Sequence, residues 1–263
     1  MYDEKEDFAF HSKEVARMAR KMRRRGAEFA GTTLLDVGAG EGMHAHFLQA
    51  LGCRHIYATD LTDYDALYDG AFRRLLEEKH RRHGFPIDLD RISFVTGSAT
   101  RMAFEDGFFD VAVSFNAFEH IASPDQSLDE IIRCLKPKGY AYLTFDPLFY
   151  CDTGGHMNEF VGIPWGHLVY PESEYVEMLR QSGASERSVE DFLHGLNRLR
   201  VRDFRRIFHA AHKKGAIRIL LRRECRGFAD EANRKHPNYR RLRKTMSRED
   251  LLTRGIEVVF RKR

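Results

Sequence analysis

The chain has 263 residues, of which 43% are hydrophobic and 31% are charged, and its formal net charge is +4. This length and composition allow one α/β domain with insertions. The absence of any run of about eighteen apolar residues argues against a transmembrane helix. No apolar signal segment opens the chain, and the four cysteines form no C-x-x-C pair. We therefore expect a cytoplasmic protein without a disulfide framework or a zinc site.

The first predicted element is a helix over residues 8–25, which Gly26 ends. Val15, Met18 and Met22 share one face of this helix at helical spacing. Residues 1–31 are therefore predicted to form a helical cap on a domain that spans residues 32–263. Such a cap either covers a ligand pocket or packs on the core without a further role, and both interpretations stay open.

The segment 34–42 reads Leu-Leu-Asp-Val-Gly-Ala-Gly-Glu-Gly. Its apolar residues predict a buried parallel strand, and its glycines predict a tight turn into a helix whose free N–H groups favour polar or anionic ligand groups. A dinucleotide-binding loop would read G-x-G-x-x-G, with a third glycine where Met43 stands. Because the spacing is G-x-G-x-G, the loop favours another nucleotide-like cofactor.

This loop resembles motif I of the class I S-adenosylmethionine (SAM) dependent methyltransferases, of the type 11 and type 12 kind. The resemblance implies that SAM is the cofactor and S-adenosylhomocysteine the product. It also implies that Asp36 lies near the methionine end of SAM and that Gly38, Ala39, Gly40 and Gly42 face the cofactor.

A second predicted strand, 54–60, ends in Asp60, 18 residues after Gly42. A carboxylate at the end of the second strand can accept hydrogen bonds from both ribose hydroxyls. Leu61 beside it would supply an apolar edge for adenine. One long helix is predicted next, over residues 64–83.

The third and fourth predicted strands carry further cofactor candidates. The third, 91–96, leads into Ser98 and Ala99. Many members of the resembled family have Asp where Ser98 stands, so we expect the Ser hydroxyl or a backbone carbonyl to contact adenine instead. The fourth strand, 108–116, continues into an Asn-x-x-Glu-His segment that is similar to the family's, and Asn116 is a cofactor candidate in it.

The order of the remaining elements predicts the fold. A helix over 125–135, a Lys-Pro-Lys-Gly turn and a fifth strand over 140–145 follow the fourth strand. Two more strands are predicted over 216–221 and 256–260. Together these elements predict a Rossmann-like, doubly wound α/β fold with a seven-stranded sheet, mostly parallel with an antiparallel last strand.

Two segments lie outside this shared pattern. Residues 149–195 follow the fifth strand, where the resembled family commonly places substrate-binding insertions. They are rich in aromatic and titratable residues and contain the only tryptophan, so we predict an irregular substrate lid with one helix over residues 171–179. Residues 224–250 are predicted to form a basic helical insertion.

Methyl transfer to oxygen needs a general base, and histidine is the natural base near neutral pH. His120 follows the fourth strand, and His156 and His167 lie in the predicted lid. Each of them is a candidate base, and each is equally well explained as an ordinary loop histidine. Asp152 and Glu159 lie near the lid histidines, but the spacing matches no standard metal motif, so no metal is predicted.

Positive charge is concentrated between Arg198 and Lys244, where 17 Lys and Arg stand against four Asp and Glu. Such a block suits phosphate, nucleic acid or an acidic membrane surface, or it forms the solvated face of helices. Few aromatic residues interleave the charges, which argues against a surface for stacking nucleic-acid bases.

The sequence thus predicts transfer of a methyl group from SAM to a small-molecule or glycan acceptor, at a hydroxyl oxygen. The Asn/Asp-Pro-Pro-aromatic segment of adenine methyltransferases is absent after the fourth strand, which disfavours base methylation. Two alternatives stay open: an RNA methyltransferase that uses the basic block, and a catalytically silent SAM-binding or scaffold protein. The sequence carries no indication of an oligomeric state.

Overall fold

A seven-stranded sheet forms the centre of the computed structural model, which describes residues 4–227 and 230–263. The strand order is β3-β2-β1-β4-β5-β7-β6, and β7 runs antiparallel to the other six strands. The predicted fold class is therefore confirmed. The strands are β1 (Thr33–Val37), β2 (His55–Asp60), β3 (Ile92–Thr96), β4 (Phe109–Phe115), β5 (Leu135–Phe145), β6 (Ile217–Arg226) and β7 (Thr253–Lys262).

Both faces of the sheet are buried, as expected for a parallel sheet covered by helices. Leu34 packs into a hydrophobic cluster on one face, and its neighbour Leu35 packs into a second cluster on the other. The same alternation separates Val111 from Ala112 on the adjacent strand. Because side chains alternate with a period of two along a strand, a continuous apolar run serves both faces.

Helices surround this sheet. In the part of the chain that the structure describes, no helix is long and apolar enough to cross a membrane. The helices before β6 are α1 (Glu4–Arg23), α2 (Ala45–Gln49), α3 (Tyr64–Leu67), α4 (Phe72–Arg82), α5 (Pro124–Cys134), α6 (Gly166–Val169), α7 (Glu172–Gln181), α8 (Glu186–His194) and α9 (Val201–Lys213). Between β6 and β7 lie α10 (Asp230–Lys235), α11 (Pro237–Leu242) and α12 (Arg248–Leu252).

The prediction of one helix over residues 64–83 was wrong. The chain forms α3, leaves the helical conformation at Asp69 and Gly70, both of which have positive φ, and then forms α4. Asp69 closes the first helix in a left-handed conformation, which aspartate tolerates better than most residues.

The N-terminal helix α1 packs on the core as the sequence indicates. Phe8, Val15, Met18 and Met22 are each at most 2% exposed and join the cluster on the Leu34 face of the sheet. The helix thereby lies beside the loop that follows β1, since it contacts α2 directly.

Residues 149–195 are about half helical, and more of them are helical than the sequence indicated. They contain α6, α7 and α8 and have a hydrophobic cluster of their own, which includes Tyr175, Leu179 and Phe192. The burial of these apolar side chains explains why the segment is ordered, a feature that its irregular composition concealed.

The second insertion differs in its boundaries from the prediction. β6 continues to Arg226, so the predicted helical insertion 224–250 begins inside a strand. Residues 228 and 229, which the prediction placed in a helix, lie outside the described residues. The ring of Trp165 lies 5.7 Å from that of Tyr239 in α11, so the two insertions pack against each other.

We predict that Leu179→Ala lowers the free energy of unfolding by about 2–5 kcal/mol, because it leaves a cavity in a packed cluster. Urea denaturation followed by circular dichroism measures this change. Leu67→Ala, at a 48% exposed position in α3, is the control and should change stability by less than about 0.5 kcal/mol. Equal stability of both variants would contradict a packed insertion.

Candidate active site

The loop after β1 requires glycine at its first and third glycine positions. Gly38 and Gly42 have φ values of +72° and +76°, a region that favours glycine. A Cβ on Gly38 would lie 2.3 Å from the Cβ of Ala117, just after β4. The backbone N–H groups of Gly38 and Ala39 donate to the carbonyl of Thr59, at 2.9 and 3.0 Å. The loop is thus fixed against the ends of β2 and β4.

Asp60 ends β2 and is oriented by backbone hydrogen bonds. Its Oδ2 accepts from the N–H of Gly40 and its Oδ1 from the N–H of Thr62, each at 2.9 Å. Each carboxylate oxygen has more than one acceptor position, so both can still receive a ribose hydroxyl. A cleft opens beside this carboxylate, and Ala58, Tyr64, Phe72, Phe94 and Thr96 are among its lining residues.

Asp36 is a buried carboxyl with one unpaired oxygen. It is 3% exposed, and its Oδ1 has no hydrogen-bond donor among the described residues. Burial, together with the nearby Asp60, raises the pKa of Asp36 to about 7. A buried polar atom without a partner is costly, and a cationic ligand would remove that cost. SAM carries an ammonium and a sulfonium cation, so this end of the site fits the predicted cofactor.

The other predicted cofactor residues lie along the same edge of the sheet. Leu61 is 77% exposed beside Asp60, as an apolar edge for adenine would be. The Ser98 hydroxyl is 2.8 Å from the hydroxyl of Thr100 and also accepts from its N–H, so it is already engaged in its own turn. Ala99 is partly buried against the core, and Asn116 has a φ of +49° where the chain leaves β4.

Two of the predicted bases lie together. The Nδ1 of His120 is 2.8 Å from the carbonyl oxygen of Gly195, and the Nε2 of His156 is 2.8 Å from that of Pro147. Because a carbonyl oxygen only accepts, Nδ1 of His120 is the donor, and in the neutral ring the lone pair lies on Nε2. The two rings are 5.2 Å apart, and burial lowers the pKa of His156 to about 4. His120 is the exposed member of the pair.

The third predicted base, His167, is a packing residue of the insertion. Its side chain is buried, its Nε2 donates to the carbonyl of Phe149 at 2.6 Å, and its ring lies against Gly155. Burial lowers its pKa to about 4. This placement gives His167 a structural position and leaves it without an open face for an acceptor.

Sequence reasoning missed Glu119, although it quoted the motif that contains it. Glu119 is 2% exposed, and neither of its carboxyl oxygens has a hydrogen-bond partner among the described residues. Burial raises its pKa well above the usual range. Asp146, at the end of β5, lies nearby, and its Oδ1 is 3.7 Å from the Nε of Arg254. The only available signal for Glu119 was its place in the Asn-x-x-Glu-His segment.

Several arginines of the basic block are paired with carboxylates within the fold. Arg198 and Arg200 form ion pairs with Glu172 and Asp250, at 2.9 and 3.1 Å. Arg205 bridges two further carboxylates, one on β6 and one on α12. These contacts give the three arginines a structural role within the fold.

Comparison with known proteins gives a family match for the centre of the chain. Residues 35–143 match a family model described as a methyltransferase domain. An uncharacterized methyltransferase of Mycolicibacterium vanbaalenii is 34% identical over 131 residues, which cover 50% of this chain and 45% of that protein. A ubiquinone/menaquinone biosynthesis C-methyltransferase of Roseobacter denitrificans is 32% identical over 111 residues, which cover 42% of this chain and 40% of that protein. The chain thus spans less than half the length of these curated relatives.

The fold also matches solved structures. A putative S-adenosylmethionine dependent methyltransferase from Listeria monocytogenes superposes with a TM-score of 0.56 at 15% identity, covering 97% of this chain and 99% of that one. At this identity the likeness concerns the fold alone. The predicted resemblance to methyltransferases is confirmed for residues 35–143, and the predicted fold agrees with that of the solved structure. Residues 35–143 thus match the methyltransferase-domain family, and the fold around them resembles that of a putative SAM-dependent methyltransferase.

Proposed function

We propose that the protein transfers a methyl group from SAM to a hydroxyl oxygen of a small-molecule or glycan acceptor, with His120 as the general base. The observation that carries the choice of base is the hydrogen bond between His120 and the Gly195 carbonyl. It leaves Nε2 unprotonated on an exposed ring at the carboxyl edge of the sheet, where ligands of this fold bind.

The cofactor side of the reaction needs binding and alignment. SAM supplies a methyl group on a positively charged sulfur, so the donor itself needs no further activation. In the proposed mode, Asp36 pairs with the ammonium group and Asp60 accepts the ribose hydroxyls. The glycine loop runs between these two carboxyl groups. Its backbone can follow this path only with glycine at position 38, because a Cβ there has no room.

The acceptor side requires removal of a proton as the carbon–oxygen bond forms. His120 Nε2 accepts this proton, and the resulting imidazolium is stabilised by the Gly195 carbonyl through Nδ1. The neighbouring His156 stays neutral near pH 7, because burial keeps its pKa near 4. It therefore does not repel the charge that develops on His120.

Residues 149–195 are proposed to be the lid over the acceptor. The chain just after them is tied to the Asn-x-x-Glu-His segment, since the Asn197 side chain donates to the carbonyls of Phe118 and Ile121 at 2.7 and 2.9 Å. Opening or closing of this segment would therefore move the carbonyl that orients His120.

We predict that His120→Ala lowers kcat by about 100-fold or more without loss of SAM affinity, because only proton transfer is removed. Release of S-adenosylhomocysteine is measured over a panel of hydroxylated acceptors, with amine and carbon acceptors alongside. The matched control is His194→Ala, at an exposed histidine of α8. Equal turnover by the two variants would refute His120 as the base, and turnover restricted to amines or carbon acceptors would refute the oxygen acceptor.

We also predict that SAM binding weakens about 10-fold between pH 8 and pH 6, because a proton and the cationic cofactor compete for Asp36, whose pKa is about 7. The raised pKa means that Asp36 is ionised above pH 7 and neutral below it. Calorimetric titration at several pH values measures the effect. Asp36→Asn should bind SAM weakly and lose this pH dependence. The exposed control Asp125→Asn should keep the wild-type affinity and its pH dependence. A flat wild-type profile would contradict an Asp36–ammonium contact.

A further inference from the structure

Three side chains from distant parts of the sequence converge where α1 meets the glycine loop. His11 and Glu14 lie on α1, and His44 lies two residues after Gly42. The Nδ1 of His11 is 3.0 Å from the Nε2 of His44, and the Oε2 of Glu14 is 3.3 Å from the first atom and 3.2 Å from the second. The three atoms thus form a nearly equilateral triangle.

No arrangement of protons makes all three contacts favourable. If both imidazole nitrogens carry protons, both donate to Glu14, but the two N–H groups of His11 and His44 then face each other at 3.0 Å. If only one nitrogen carries a proton, it cannot point at both of its neighbours, and a lone pair of the other nitrogen faces the carboxylate. A single cation at the centre would accept a lone pair from each atom at once.

We propose that His11, Glu14 and His44 bind a divalent transition-metal ion, for which Zn²⁺ is the natural occupant. Two imidazole nitrogens and one carboxylate oxygen, with a fourth position left open, form a known zinc ligand set. Zinc bonds of about 2.0–2.2 Å at tetrahedral angles place ligand atoms about 3.3–3.6 Å apart, close to the observed 3.0–3.3 Å. Among the described residues, no other three ligand atoms of His, Cys, Asp or Glu converge within 4.8 Å.

The surroundings of the triangle orient its ligands. The Nε2 of His11 is 3.2 Å from the Oδ1 of Asp7, so the lone pair of the ring is directed to Nδ1. A carboxylate behind a histidine ligand is the usual supporting contact of a metal site. The ring of His44 stacks on that of Phe115 at 4.2 Å, which holds it in place at the end of β4.

A metal ion at this position would fasten α1 to the chain just after the glycine loop. The cap helix would then be held over the carboxyl edge of the sheet, which answers the question that the sequence left open about its role. This inference goes beyond methyl transfer and does not rest on it. Sequence reasoning considered metal ligands only in the predicted lid, and His11 and His44 are 33 residues apart, so no local spacing links them.

Zinc binding tests the proposal directly. Tag-free, chelator-treated protein is titrated with ZnCl₂ by calorimetry at pH 7.5, and one tight site per chain is expected. Glu14→Gln and His44→Gln should each weaken this site by about 100-fold or more, and Asp7→Asn by about 10-fold, since loss of a supporting contact costs about 10- to 100-fold. Glu28→Gln and His194→Gln, both at exposed positions, should bind as the wild type does.

Two results would overturn the proposal: no stoichiometric zinc binding by the wild-type protein, or unchanged affinity in Glu14→Gln. Circular dichroism shows whether each variant is folded. If a ligand variant does not fold, the visible absorption spectrum of the wild-type protein loaded with Co²⁺ tests the site instead. A site with these ligands must give the visible absorption of low-coordinate Co²⁺. Absence of that absorption would also refute the site, and none of these readouts depends on methyl transfer.

Discussion

The hydrogen bonds between the glycine loop and the end of β2 are the constraint on which the site depends. Gly38 and Ala39 donate to Thr59, and Gly40 donates to the carboxylate of Asp60. These bonds fix the glycine loop against the end of β2, beside the cleft at the carboxyl edge of the sheet. Ala117 fills the space that a side chain at position 38 would need, which brings the end of β4 to the same point.

The electrostatics of this edge are those of a site for a cation. Asp36, Glu119 and Asp146 are carboxyl groups whose pKa values are raised, chiefly by burial. A protein whose net charge is positive therefore concentrates acidic groups where the cofactor is proposed to bind. Groups with shifted pKa values cluster at functional sites. A cationic ligand would supply the positive charge that these buried carboxyl groups lack. The Arg and Lys residues of the basic block, in contrast, include several that are paired with carboxylates inside the fold.

The sheet could be predicted from the sequence because its signals are local. Apolar runs of four to seven residues that end in glycine or aspartate indicate parallel strands, and each predicted strand is present. The break between α3 and α4 was missed because Asp69 adopts a left-handed conformation. Aspartate can adopt this conformation, but its presence in a sequence does not predict it. The helices of residues 149–195 were missed in part because their stability comes from a separate cluster around Leu179 and Phe192.

The site was predictable only where one segment carries the whole pattern. The glycine loop and Asp60 belong to such segments. The base candidates could not be ranked, since the burial of His167 and the Gly195 contact of His120 depend on how the insertion packs. The triangle of His11, Glu14 and His44 depends on the docking of α1 beside α2, a contact that no spacing within the sequence encodes.

The most direct test of the account is calorimetric titration of the protein with SAM, S-adenosylhomocysteine and NAD, with the Asp60→Ala variant alongside. The account predicts binding of SAM and S-adenosylhomocysteine, no binding of NAD, and weaker SAM binding by Asp60→Ala because the ribose contact is lost. Failure of the wild-type protein to bind SAM, or unchanged affinity in Asp60→Ala, would contradict the proposed cofactor site.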